Sequence, residues 1–180
     1  MAATASTGSQ TSLDKLKARL AEIDALRASI AMMEWDQQVL MPPGGAAARA
    51  EHTSLLSSMK HELFTCDETR TLIDKAQSEA EGDDVAMLRV VKRELDLDTK
   101  IPTELVAKKS RLSALAYDVW TRARATNDFP SFAPMLEQMF DIAREEAEHL
   151  GGVEAALLHP PRVLVERLRG PHAPEGALAV

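Results

Sequence analysis

The sequence predicts an all-α protein, a bundle of antiparallel helical hairpins with about six helices. Apolar residues recur at three- and four-residue steps through most of the 180 residues. No stretch alternates apolar and polar residues as a half-buried strand does. Proline, glycine and N-capping residues divide the helical patterns at short intervals, which favours antiparallel neighbours.

The first helix is expected after Ser12 as N-cap, with Asp14 in its first turn. Leu13, Leu16, Leu20, Ile23, Leu26, Ile30 and Met33 then form one apolar stripe of about six turns. Pro42-Pro43-Gly44-Gly45 ends it, because proline lacks the N–H and restricts the residue before it. A second helix is expected from about Ala46 to Leu63, facing inward with His52, Leu56, Met59 and Leu63. Asp67 is placed to cap a third helix carrying Leu72, Ile73 and Ala76, and Asp84 a fourth carrying Val85, Leu88, Val91 and Leu95. Pro102 breaks the pattern and Thr103 opens a fifth helix, through Val106, Lys109, Leu112, Ala116, Val119 and Ala123. Ser131 is placed to cap a sixth, with Pro134 in its first turn. Phe132, Met135, Leu136, Met139, Phe140 and Ala143 are its expected apolar side, and Gly151 its stop.

The flanks read differently. Residues 1–11 are small and polar, an expected disordered N-terminus without the basic start and apolar run of a signal peptide. Residues 152–180 read as an irregular Pro/Gly-rich tail. From Gly151 onward the chain holds four of the nine prolines and four of the eight glycines, and no Lys, Asp, Asn, Gln, Ser or Thr. That bias suits replaced or out-of-frame coding sequence better than a natural linker, which carries Ser, Thr or Gln beside its glycines. The helical domain is therefore expected over 12–151.

Composition excludes several classes. At 45% apolar and 27% charged the chain is ordinary for a globular domain. A net charge of −7, with scattered Lys and Arg, gives no nucleic-acid footprint. No apolar run approaches the ~20 residues of a membrane span. The single cysteine, Cys66, cannot form an internal disulfide and suits a reducing compartment, so a cytoplasmic address is expected.

Candidate chemistry is sparse. His61-Glu62 lacks the second histidine of a zinc-peptidase helix, since Thr65 stands at that position. It reads as a surface pair near a helix end. Glu146-x-x-His149 has no counterpart for a di-metal bundle. His52 reads as a core or boundary histidine, and the Met32/Met33 and Met135/Met139 pairs as core filler. No catalytic, cofactor-binding or metal residue is assigned. Glu34, Asp36 and Glu51 gather around the Pro-Pro-Gly-Gly corner, where paired carboxylates do acid–base work only if their environments split their pKa values. Arg49 is an available partner for Asp36, so a structural role is the expectation. Trp35 is expected to be buried at this corner, more deeply than Trp120.

The corner carries a family likeness. Trp35-Asp36-Gln37, Met41-Pro42-Pro43-Gly44-Gly45 and Arg49-Ala50-Glu51 resemble the N-terminal signature of the carboxypeptidase Taq family of zinc metallopeptidases. The segments from Arg93 to Val106 and from Ala125 to Gly151 are similar to later family segments, in order. The resemblance, from about Leu13 to Gly151, implies a helical fold and descent from enzymes that release single residues from peptide C-termini. Those enzymes use zinc or another divalent metal and often form homodimers. Their N-terminal helices form one wall or lid of a deep metal-containing groove. The family's His-Glu-x-x-His lies beyond this chain, so none of its catalytic residues is carried over. The chain is expected to be the truncated helical part, inactive alone. The alternative is a non-catalytic interaction module that forms a homo-oligomer through exposed apolar helix faces.

Overall fold

The computed structural model describes residues 10–42 and 44–152. Residues 153–180 of the expected tail, and residues 1–9 of the expected disordered N-terminus, lie outside the described residues. The order of elements is α1 (Ser12–Val39), α2 (Ala46–Thr65), α3 (Asp67–Ala76), α4 (Asp83–Asp98), α5 (Thr103–Thr126) and α6 (Phe129–His149). No strand occurs among the described residues.

Helix starts differ from expectation by small, physical margins. Thr11 caps α1, in place of Ser12. Its hydroxyl accepts from the Asp14 N–H, and Asp14 accepts from the Thr11 N–H. Ser12 instead donates its N–H to Glu79, as Leu13 does at 2.8 Å. These backbone N–H groups, the Leu13 one foremost, hold the Glu79 carboxyl below the usual range. An acid from the α3–α4 turn thus completes the N-terminus of α1. Cys66 stands at the N-cap of α3 and Gly82 at that of α4, so Asp67 and Asp84, expected as caps, are first-turn residues instead. Asp128, not Ser131, caps α6 by accepting from the Ser131 N–H. The helix begins earlier than expected, and Pro134 falls beyond its first turn.

Two packing centres hold the array. The first is hydrophobic. Leu16 of α1 and Phe64 of α2 meet Ile73 and Ala76 of α3 and Leu88, Val91 and Leu95 of α4. The α1 stripe lies where its spacing places it. Val85 departs from its expected face and is exposed, as the first turn of α4 projects past the cluster.

The second centre is the α2–α5 seam, and here the expected face of α2 was wrong. His52 and Met59 are exposed, while Ala46, Ala50, Thr53, Ser57, His61 and Phe64 are buried. The reason is close approach. Small residues on both helices bring the backbones together, and hydroxyls bridge them: Ser54 to the Ala107 carbonyl at 3.0 Å, and Ser57 to Ser110 at 3.0 Å. Larger side chains such as Leu55 and Met59 cannot enter such a seam and point outward.

α6 returns along α5, with Lys108 paired to Glu145 at 3.0 Å and Lys109 to Glu146 at 2.6 Å. Of its side chains only Ile142 is fully buried. Phe140 and Ala143, expected on its apolar side, are exposed, because α5 is the neighbour it packs on and takes one face only. No helix of the described residues is long and apolar enough to cross a membrane.

Candidate functional site

The corner between α1 and α2 is built on two glycines. Gly44 has φ +89°, a left-handed backbone that favours glycine. A Cβ on Gly45 would lie 2.9 Å from the Met41 side chain and 3.2 Å from the Pro42 carbonyl. The chain turns here without a side chain and delivers Arg49 back against α1.

Arg49 closes the corner. Its side chain is largely buried, pairs with Asp36, and donates to the Met33 carbonyl at 2.6 Å. The guanidinium therefore ties α2 to the last turns of α1. Glu51 pairs with Arg111 of α5. Gln37 donates to the Ala114 carbonyl at 2.7 Å, tying α1 to α5. Glu34 lines a small polar recess of about 30 Å³ with Gln37, Thr53, Ser110, Ser113 and Tyr117. A larger open cleft of about 320 Å³ follows Gln37 past Met41, Pro42 and Gly44 to Tyr117, Asp118, Thr121 and Arg122. The carboxylates of Asp36 and Glu51 are both paired with guanidinium groups, those of Arg49 and Arg111. Glu34 sits on the recess wall.

Trp35 does not fill the corner. It is 53% exposed, and Met32 beside it 64%. Trp120, at 39%, packs on Tyr117 with centroids 5.9 Å apart and lies under the Arg124 guanidinium. The expectation that Trp35 is the more buried is overturned. Arg49 and the glycines form the corner, and Trp35 lies on the side of α1 away from α2. Met32 is accordingly not core filler.

The other candidates are placed as follows. His61, expected at the surface, is 6% exposed. Its Nε2 lies 2.9 Å from the Asp98 carbonyl, and its Nδ1 3.0 Å from the Thr103 hydroxyl. A carbonyl only accepts, so Nε2 carries the hydrogen, and in that tautomer Nδ1 accepts a hydrogen bond from the Thr103 hydroxyl. Glu146 is engaged by Lys109, and His149 stands exposed in the last turn of α6. Burial pushes the Cys66 thiol up. The Thr69 hydroxyl, the N–H groups of Thr69 and Glu68, and Arg19 outweigh this and leave it below its ordinary value. The fully buried Thr69 hydroxyl donates to the Leu63 carbonyl and accepts from Arg19, so the pair reads as a joint between α1, α2 and α3.

Sequence reasoning missed Asp98, the last residue of α4. Burial lifts its carboxyl above the usual range; Lys60 and His61 oppose the lift, while Glu94 and Glu146 add to it. The native state thus holds this proton more tightly than the unfolded chain. Stability from that proton is present at low pH and is lost as pH rises through the raised value. Asp98→Asn is expected to raise the melting temperature at neutral pH. The gain should shrink as pH falls toward the ordinary aspartate value of about 3.9. Thermal melts across pH 4 to 8 check this; a gain that grows on acidification has the wrong sign.

Among the described residues no group of three or more His, Cys, Asp or Glu side chains is placed to hold a metal ion. Fold and corner together define an all-α scaffold in which arginines pair with the carboxylates of Asp36 and Glu51. The family model for carboxypeptidase Taq (M32) metallopeptidase matches residues 15–164, and the chain belongs to that family. The match runs past Gly151, so the change in composition there is not the edge of the likeness. The thermostable carboxypeptidase 1 of Pyrococcus furiosus is 28% identical over 141 residues, 77% of this chain and 28% of that protein. The M32 carboxypeptidase structure from Deinococcus radiodurans R1 is 30% identical, with a TM-score of 0.59 over 78% of this chain and 29% of that one. The BsuCP crystal structure shares the fold at a TM-score of 0.78 and 24% identity, over 89% of this chain and 35% of that one. The chain thus spans little more than a quarter of the length of the curated relatives it matches.

Proposed function

We propose that this chain is the N-terminal helical part of a metallocarboxypeptidase, an enzyme type that releases C-terminal amino acids from peptides. In this reading it forms a wall beside the catalytic groove and supplies no catalytic residue. The observation that carries the reading is the family match over residues 15–164, in a chain covering 28% of a carboxypeptidase relative. The corner supports the role of a wall: glycine, Arg49 and Gln37 lock three helices where the family signature lies. Zinc or another divalent metal, and the peptide substrate, belong in this reading to the remainder of the family chain. The lone Cys66 supports a cytoplasmic address.

The isolated chain is expected to have no peptidase activity, because none of its described residues is placed to activate water at a metal. The check is incubation with zinc or cobalt and an N-blocked dipeptide, following release of the C-terminal residue. A rate equal to the metal-free control is expected. Metal-dependent release that tracks the protein through purification overturns the reading. A second reading, a non-catalytic module that pairs with itself, is favoured by the exposed Met32, Trp35 and Val39 of α1.

A further inference from the structure

α6 is held differently from the other helices. The hydrophobic cluster that joins α1, α2, α3 and α4 has no member on it. It packs on α5 with Ile142 as its fully buried side chain. Two ion pairs add to that contact. Lys108 meets Glu145 at 3.0 Å on the exposed side. Lys109 meets both oxygens of Glu146, at 2.7 and 2.6 Å, where the two side chains are half-buried. Asn127 and Asp128 alone join α5 to α6. Glu146 therefore stands at the far end of a lever about 26 Å long, where any tilt of α6 is largest.

The inner ion pair belongs to a mixed-charge cluster drawn from four helices. His61 of α2 bridges the Asp98 carbonyl at the end of α4 and the Thr103 hydroxyl at the start of α5. Lys109 follows Thr103 on α5 by about 9 Å along the axis. The charges that act on the Asp98 carboxyl are Lys60 and His61 from α2, Glu94 from its own helix and Glu146 from α6. Lys109 of α5 holds Glu146 in place. Burial lifts the Asp98 carboxyl above its usual range, Glu94 and Glu146 add to the lift, and Lys60 and His61 oppose it.

We propose that Asp98 and Glu146 form a proton-operated latch for α6. With Asp98 neutral, α6 stays seated on α5. With Asp98 ionised, the two carboxylates repel across the joint and the far end of the helix loosens. Lifting that end carries the Glu146 charge away from Asp98, so the loosened state binds the proton less tightly than the seated one. Proton binding and seating then favour one another by the same factor. The added hold on α6 is fully present below the ordinary aspartate value and is lost as pH rises through the raised one. Ile142 and the outer pair of Lys108 with Glu145 keep the helix on α5 throughout, so it loosens without leaving. The proposal stands on the packing of α6 and does not depend on the peptidase reading.

Backbone hydrogen exchange of the whole chain, read by mass spectrometry and corrected for the intrinsic effect of pH, tests it. Protection of the α6 amides toward His149 is expected to fall about fivefold from about pH 4 to about pH 8. Asp98→Asn should keep the protection high and flat across that range. Glu146→Gln should start lower, because the bond to Lys109 is weakened, and should flatten the fall. Glu145→Gln, in the outer pair, should lower protection evenly and leave the fall intact. Wild-type protection that is flat or rises with pH overturns the proposal. So does a fall that survives Asp98→Asn, or one of undiminished size in Glu146→Gln, which would leave no part for repulsion between the two carboxylates. If Asp98→Asn fails to fold, the comparison of Glu146→Gln with Glu145→Gln decides alone.

Discussion

Leu16→Ala will cost the chain about 3 kcal/mol, within the usual range for emptying a fully buried leucine site. Leu16 has no exposed surface and is the α1 member of the buried cluster that includes Phe64, Ile73, Leu88, Val91 and Leu95. The cluster joins four helices from four stretches of sequence, so it cannot easily collapse into the space left behind. Leu13, Leu20, Ile23 and Met87 surround it but are themselves only partly buried. Urea unfolding followed by circular dichroism measures the loss. Val85→Ala is the control, since Val85 is exposed at 55% and its truncation should cost less than about 0.5 kcal/mol. Equal shifts for the two variants would mean that the cluster is not the centre of the fold.

His61→Ala will cost a similar amount, about 3 kcal/mol, by a different route. Two half-buried partners lose their bond: the Asp98 carbonyl and the Thr103 hydroxyl. Each unsatisfied group costs about 1–3 kcal/mol, and the vacated ring volume adds to it. The ring joins the end of α2 to the α4–α5 turn, so the damage should spread to the packing of α5 on α2. His52→Ala, nine residues earlier on the exposed side of the same helix, should move the midpoint little. If the two histidine variants melt alike, the clamp assigned to His61 is not there.

The contrast between those histidines shows what was legible in the sequence. Where a helix buries leucine and isoleucine, spacing located the inner face, as in α1 with Leu16 and α4 with Leu88, Val91 and Leu95. In α2 the same rule failed. Ala50, Thr53, Ser57, His61 and Phe64 recur at helical steps too, but a scan for large apolar residues passes over small and hydroxyl ones. The preference was for His52, which shares a line with Leu56, Met59 and Leu63. The packing energy of α2 comes from backbone proximity and short hydrogen bonds, which hydrophobicity does not register. The ion pair of Asp36 with Arg49 was legible because the turn brings them back into reach. The place of Trp35 was not, because proximity to a corner does not say which side of the helix faces it. Capping residues were missed by one to three positions wherever several Ser, Thr and Asp residues stood together, as at Thr11-Ser12 and Asp128 to Ser131.

The hydroxyl bridges between α2 and α5 constrain how this assembly of helices can move. Ser54 meets Ala107, Ser57 meets Ser110 and His61 meets Thr103, three cross-links along one antiparallel pair. Oily surfaces can slide past one another at little cost. These helices cannot, because a displacement by one turn, about 5.4 Å, breaks all three cross-links together. Shear is therefore closed to the pair. Any larger rearrangement must instead take place at the junctions outside the pair, such as Asn127 between α5 and α6. The pair α2 and α5 then travels as one beam, with the corner at its end keeping its shape as it swings.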